Sequence, residues 1–140
     1  MPDAPMAAMA AEDWSTPLYR RLRLSPARAS IRLLHIRPGA FDDQIICGLT
    51  RTVLIASDPY EALSYTWGDA TQQTHVTVNG IRATVTTNLD QALRGLRYVD
   101  KDRIIWVDAL CINQHDLAER GAQVREMGTI YRSAIYSMEF

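Results

Sequence analysis

I-I-W-V-D-A-L-C-I-N-Q-H-D-L-A-E-R-G-A-Q-V-R-E-M-G-T-I-Y-R-S-A, residues 104–134, decides the fold. Ile104, Ile105, Trp106 and Val107 form an apolar run without alternation. A strand of that kind is covered on both faces, as in a sheet flanked by helices. Asp108 follows at its carboxyl end, where open α/β sheets collect functional groups. A polar loop from Cys111 to His115 supplies a thiol, two amides and an imidazole. Asp116 and Glu119 then form a D-x-x-E helix start, whose side-chain oxygens satisfy free backbone N–H groups. In the helix that follows, Leu117, Gly121, Val124, Met127, Gly128 and Tyr131 are predicted to form the packed stripe. Glu119, Gln123 and Glu126 are predicted to face away. The two interior glycines cost the helix about 1 kcal/mol each relative to alanine. Lying seven apart on the predicted packed face, they are expected to permit close approach to the sheet.

Working outward from that stretch, the strongest local signal is H-V-T-V-N-G-I-R-A-T-V, residues 75–85. Asn79-Gly80 between two alternating runs predicts a two-residue hairpin turn, because both central residues accept positive φ. The turn puts Val78 opposite Ile81 and Val76 opposite Ala83. One face is then apolar, with His75, Thr77, Arg82 and Thr84 on the other. Asn88 and Gln91 predict a second helix start, and Leu89, Ala92, Leu93 and Leu96 give it one apolar stripe.

Residues 60–67 (Y-E-A-L-S-Y-T-W) read as a strand ended by Gly68-Asp69, which puts Ser64, Trp67 and Asp69 at or near its carboxyl end. Residues 30–36 read as a strand, and alternating Ile45, Cys47 and Leu49 begin another that continues through Val53 and Ile55. His35 reads as a half-buried strand residue. Residues 14–24 are expected to be extended, and residues 1–13 a disordered lead-in. The order of elements predicts an α/β layout in which the strands at 60–67 and 104–108 run parallel, side by side.

Composition narrows the function classes. The chain has 140 residues, 47% hydrophobic and 22% charged, as expected of a single soluble domain. A net charge of -1 gives no general attraction to nucleic acid or to an anionic membrane. The basic residues Arg20, Arg21, Arg23 and Arg28 read as a solvated face rather than a phosphate site. No apolar run approaches the ~18 residues of a membrane span, and the N-terminus is a poor signal or transit peptide. The two cysteines, Cys47 and Cys111, lack zinc spacing and are expected to be buried free thiols in a reducing, cytoplasmic setting.

Three segments together carry a resemblance: Y-E-A-L-S-Y-T-W-G-D, N-L-D-Q-A-L-R-G-L-R, and I-W-V-D-A-L-C-I-N-Q-H-D-L-A-E-R-G-A-Q-V-R-E-M-G-T-I-Y-R-S-A. In order and spacing they resemble the three successive motifs of the fungal heterokaryon-incompatibility (HET) domain, and I-R-L-L-H-I-R-P-G resembles a lead-in found upstream of it. The resemblance implies a signalling module of nonself recognition linked to programmed cell death. Its implied partners are other incompatibility or death-signalling proteins, or a second HET domain, with no nucleic acid and no membrane span. It divides the chain into a lead-in at 1–13, an N-terminal strand segment at 14–57 packed on the domain, and a HET domain at 58–140. HET domains are in turn distantly similar to TIR domains, which implies a TIR/flavodoxin-like, partly parallel sheet with flanking helices, an inserted hairpin and N-terminal strands. After I-Y-R-S-A the family continues into a strongly apolar strand, whereas this chain reads I-Y-S-M-E-F. The resemblance therefore implies a domain incomplete at its C-terminus, with residues 135–140 forming at most a short edge strand.

Some TIR domains hydrolyse NAD with a glutamate on the helix after the third strand. If catalysis in the family depends on that glutamate, this chain is not expected to supply it, so NAD enters only as a substrate under an alternative reading, and no cofactor is expected. Asp108, Cys111 and Glu119 are the candidates for catalysis. Cys111 and His115 could meet as a nucleophile and base only across a helical loop, and a thiol that fills the core is the simpler reading. Asp108, Cys111 and His115 lack a fourth ligand for a metal. The candidate ligand-binding residues are Ser64, Trp67, Asp69, Asp108 and Asn113. Trp67 at a strand end can stack on a nucleotide base, and Asp108 is the residue most readily assigned a function.

Overall fold

In the computed structural model of the chain, residues 13–25, 29–64 and 68–139 are described. Along the sequence they form α1 (Ser15–Arg20), β1 (Ser30–Ile36), β2 (Ile46–Val53), a 3-10 turn (Leu54–Ala56), β3 (Glu61–Ser64), β4 (Gln73–Val78), β5 (Ile81–Thr86), α2 (Thr87–Leu96), β6 (Arg103–Val107), α3 (Asp108–Cys111), α4 (Leu117–Ser133) and β7 (Tyr136–Glu139). The seven strands form one mixed sheet in the order β5-β4-β2-β1-β6-β3-β7. The α/β class expected from the sequence is the one observed.

The expected neighbours pair as predicted. β3 and β6 are parallel, with Ala62 beside Trp106 and Leu63 beside Val107. β7 adds to the outer side of β3, also parallel, and forms one edge of the sheet. β1 and β2 lie inside the sheet, where β1 bridges β2 and β6 with both pairings antiparallel. The hairpin has the predicted register, Val78 opposite Ile81 and Val76 opposite Ala83. Its turn holds Asn79 at φ 52° and Gly80 at φ 77°. That is the left-handed backbone an Asn-Gly pair accepts at little cost.

Two local expectations are corrected. Residues 15–20 are helical rather than extended, because the Asp13 carboxylate accepts from the hydroxyls of Ser15 (2.9 Å) and Thr16 (2.7 Å). Pro17 sits in the first turn, where its missing N–H costs nothing. The second helix is capped by Thr86, whose Oγ1 accepts from the Leu89 N–H, so Asn88 lies inside it.

The largest correction concerns the packed face of α4. Leu117 and Val124 are exposed, whereas Gln123 and Ile130 are buried and Glu119 points into the protein. The helix is rotated so that polar side chains meet polar partners on the sheet side. Gln123 Nε2 donates to the Ser30 carbonyl (3.0 Å), and the Tyr60 hydroxyl donates to the Ile130 carbonyl (2.6 Å). The glycines therefore face outward: a Cβ on Gly121 would touch only the Arg125 guanidinium at 3.6 Å. Gly121→Ala is expected to raise stability by about 1 kcal/mol, the helix-propensity difference alone. Urea denaturation checks this, and a destabilised variant would restore close packing at that position.

The core fills the space between the sheet and its helices, with Leu34, Ile36, Ile45, Leu63, Ile105, Trp106 and Leu110 inaccessible to solvent. No described helix is long and apolar enough to cross a membrane.

Candidate functional site

β3 and β6 run parallel and end together, so whatever follows them converges at one place. Ser64 is the last residue of β3 and Asp108 the first after β6. Tyr131, on the last turns of α4, reaches the same place. The Ser64 hydroxyl acts on the Tyr131 phenol and lowers its pKa, and the phenol feels the charge of Asp108. The Tyr131 ring stands edge-on to Trp106, with centroids 5.7 Å apart. Burial, and then the Asp108 charge, raise the phenol's pKa.

Asp108 opens the short helix α3. Burial pushes its carboxyl above the usual carboxylate range, and the N–H groups of Ala109 and of Asp108 itself partly oppose that shift. Its carbonyl accepts from Gln114 Nε2 (2.8 Å) and from the Ile112 N–H (3.2 Å). Together these three residues present two hydroxyls and a carboxyl that holds its proton to higher pH than an exposed one. Such a set can bind a polar ligand or relay a proton.

The other candidates are placed differently. Cys111 is fully buried, with Sγ 3.5 Å from the Val107 N–H, and burial pushes its thiol up to about 12. A thiol so far from ionisation is no nucleophile at neutral pH. Cys47 is likewise buried and free, raised to about 12 by the same cause.

Glu119 is not turned outward: it lines a broad cleft between α1, β1 and α4, where Arg32 holds it. Both of its oxygens accept from Arg32 at 2.7 Å, and Oε2 also accepts from the Asn113 N–H at 2.6 Å. The predicted cap is present in part, because Asp116 Oδ1 accepts from the Glu119 N–H. Asn113 uses its side-chain oxygen on the His115 N–H, which shapes the loop. Asp69 is exposed and accepts from the Thr71 N–H and hydroxyl, which hold its pKa below the usual value. Trp67 lies outside the described residues. Among the described residues, no three His, Cys, Asp or Glu side chains are placed to hold a metal. Ser64 and Asp108 are therefore brought together, while Cys111 is buried in the core, Glu119 and Asn113 line a separate cleft, and Asp69 is tied to Thr71.

Two residues were not visible as site or support residues in the sequence. Tyr131 reads there as a core position. Arg32 is 1% exposed, stacks over the Tyr19 ring, and donates to the carbonyls of Leu22 (2.9 Å) and Cys111 (3.1 Å) as well as to Glu119. A signal for it exists: Arg32 shares its strand face with Leu34 and Ile36, and a charge on an apolar face calls for a buried acid.

Compared with known proteins, residues 60–138 match the family model described as heterokaryon incompatibility protein (HET). The chain is also similar to a Neurospora crassa protein, heterokaryon incompatibility protein 6, OR allele, at 36% identity over 130 residues. That match covers 83% of this chain and 19% of the relative, so the chain spans about a fifth of the relative's length. No solved structure gives a significant match.

Proposed function

The chain belongs to the heterokaryon-incompatibility (HET) family, and from that premise we propose that it is a signalling module of fungal nonself recognition. In this reading it is linked to cell death and acts through contacts with other proteins. The observation that carries the contact part is the outer face of α4. Leu117 (76% exposed) and Val124 lie on it, and Ile135 and Tyr136 (68% exposed) are exposed where α4 leads into β7, an edge strand of the sheet. Exposed apolar residues on a helix and at an edge strand suit a partner surface. The burial of Cys111 and the engagement of Glu119 by Arg32 support the same reading, because both groups serve the fold.

Expression in a filamentous fungus tests it. The chain, alone or with a complete HET partner, is expected to arrest growth and kill cells. A double variant, Leu117→Asp with Val124→Asp, is expected to fold and fail to kill, since exposed substitutions shift stability by only about 0.5 kcal/mol each. A chain without effect, or a double variant that kills equally well, overturns the contact reading.

The cluster of Ser64, Asp108 and Tyr131 favours a second reading, TIR-like hydrolysis of NAD. Purified chain incubated with NAD separates the two. Nicotinamide release that disappears in Asp108→Asn supports the enzyme, whereas the contact reading expects no release.

A further inference from the structure

A second feature lies beside that cluster and is used by neither reading. α1, the β5 strand, α2 and the loop after α3 line a half-open cavity of about 220 Å³. Trp14, Tyr19, Val85 and Leu89 wall it with apolar surface, and Gln114 and His115 stand at its polar end. Three of the lining residues are held by hydrogen bonds. Tyr19 is anchored by its hydroxyl on the Leu110 carbonyl (2.6 Å), and Leu89 by its N–H on Thr86. Gln114 is held by Nε2 on the Asp108 carbonyl, which leaves its Oε1 as an acceptor.

Size, charge and wall chemistry each narrow the occupant. A cavity of about 150 Å³ lined by aliphatic and aromatic groups already admits benzene, so this one has room for a fused pair of rings. It lies below the range of roughly 300–1,000 Å³ typical of drug-sized ligands, which excludes a whole dinucleotide. None of the twelve described lining residues carries a fixed charge. A phosphate or carboxylate here would lose its hydration without a cation to replace it. The apolar walls give water few partners, whereas the indole of Trp14, 6.2 Å from the tilted Tyr19 ring, offers a face for a flat ring.

We propose that this cavity binds an uncharged, planar heteroaromatic molecule of nucleobase size, packed against Trp14 and hydrogen-bonded at its polar end by Gln114 and His115. Ala109 lines the cavity and directly follows Asp108. An occupant therefore touches α3, the helix that positions the Asp108 carboxyl. This site is independent of the cell-death role, so the two can fail separately.

The full chain, labelled with nitrogen-15, is titrated with adenine and separately with indole, each to about 1 mM, an affinity range worth about 4 kcal/mol. The expected result is a saturable shift of the Leu89, Ala109 and His115 amides and of one tryptophan indole by at least one of the probes. Adenosine monophosphate is expected to bind about tenfold more weakly than adenine. Two variants close the cavity: Ala109→Leu from within, and Ala70→Trp at an exposed rim position that leaves the core untouched. Each is expected to weaken binding by about tenfold, the loss that 1.4 kcal/mol produces. No saturable shift with either probe, shifts located elsewhere, or affinity unchanged in Ala70→Trp would each overturn the proposal. Adenosine monophosphate binding as tightly as adenine would overturn the uncharged ligand class.

Discussion

Glu119→Ala is expected to lower the stability of the domain by about 3–5 kcal/mol, the cost of stranding one member of a buried ion pair. The Arg32 side chain is 1% exposed and that of Glu119 10%. Removing the carboxylate takes away both 2.7 Å contacts and leaves a full positive charge inside the protein. The carbonyls of Leu22 and Cys111 and the Tyr19 ring still face the guanidinium, but none carries the opposing charge. The Asn113 N–H loses its acceptor as well. Against a typical total of about 5–15 kcal/mol, such a loss leaves the domain marginal. Guanidinium denaturation measures it directly. A double variant, Arg32→Met with Glu119→Leu, is the control: replacing both charges with apolar side chains of similar volume is expected to recover most of the loss. A single-variant cost below about 1 kcal/mol would match a surface pair and contradict this geometry.

The same pair explains which parts of the fold could be read in advance. Where a rule is local, the reading succeeds residue by residue. An Asn-Gly turn sets the hairpin register, and alternation then places each side chain, so Val76, Val78 and Ala83 are all buried as expected. The unbroken apolar run ending in Val107 is covered on both faces, and β3 lies parallel beside it. Helix α4 was read only in part: Met127 and Tyr131 pack against the core as expected, but the rest of its buried face depends on distant partners. Its buried face includes Glu119 and Gln123, which meet Arg32 and Ser30 of β1, 87 and 93 residues away in sequence. Nothing in the helix's own periodicity encodes those partners, and the apolar Leu117 and Val124 suggest the opposite face. That Asp108 and Ser64 lie close together was legible because strand ends converge in a parallel pair. Tyr131 was not, since its hydroxyl is distinguished from a core aromatic only by the Ser64 it meets. Helix α1 was hidden because Asp13 steadies its start through the hydroxyls of Ser15 and Thr16 in a stretch too short for a periodic signal.

Trp106→Ala is the other substitution with a large expected cost, about 3–5 kcal/mol for removing a fully buried tryptophan. Trp106 is 0% exposed at the centre of β6, a strand flanked by β1 and β3, so the vacated volume has little freedom to collapse. Trp106→Phe separates volume from polarity. The indole Nε1 has no hydrogen-bond partner in the described structure, so phenylalanine removes an orphaned donor while keeping an aromatic ring. Its expected cost is correspondingly smaller, below about 2 kcal/mol. The alanine variant also reaches the candidate site. Tyr131 rests edge-on against Trp106, and burial is the first cause of its raised pKa. Loosening that contact admits water, stabilises the phenolate, and brings the Tyr131 pKa down toward the ordinary tyrosine value. The chain has six tyrosines, so the measurement is an ultraviolet difference titration against the matching Tyr131→Phe background. A lowered Tyr131 pKa in Trp106→Ala, with little change in Trp106→Phe, makes the indole's bulk responsible for shielding the Tyr131 phenol. An unchanged pKa in both would assign that role to α4 itself, and the signature tryptophan would then act on stability alone.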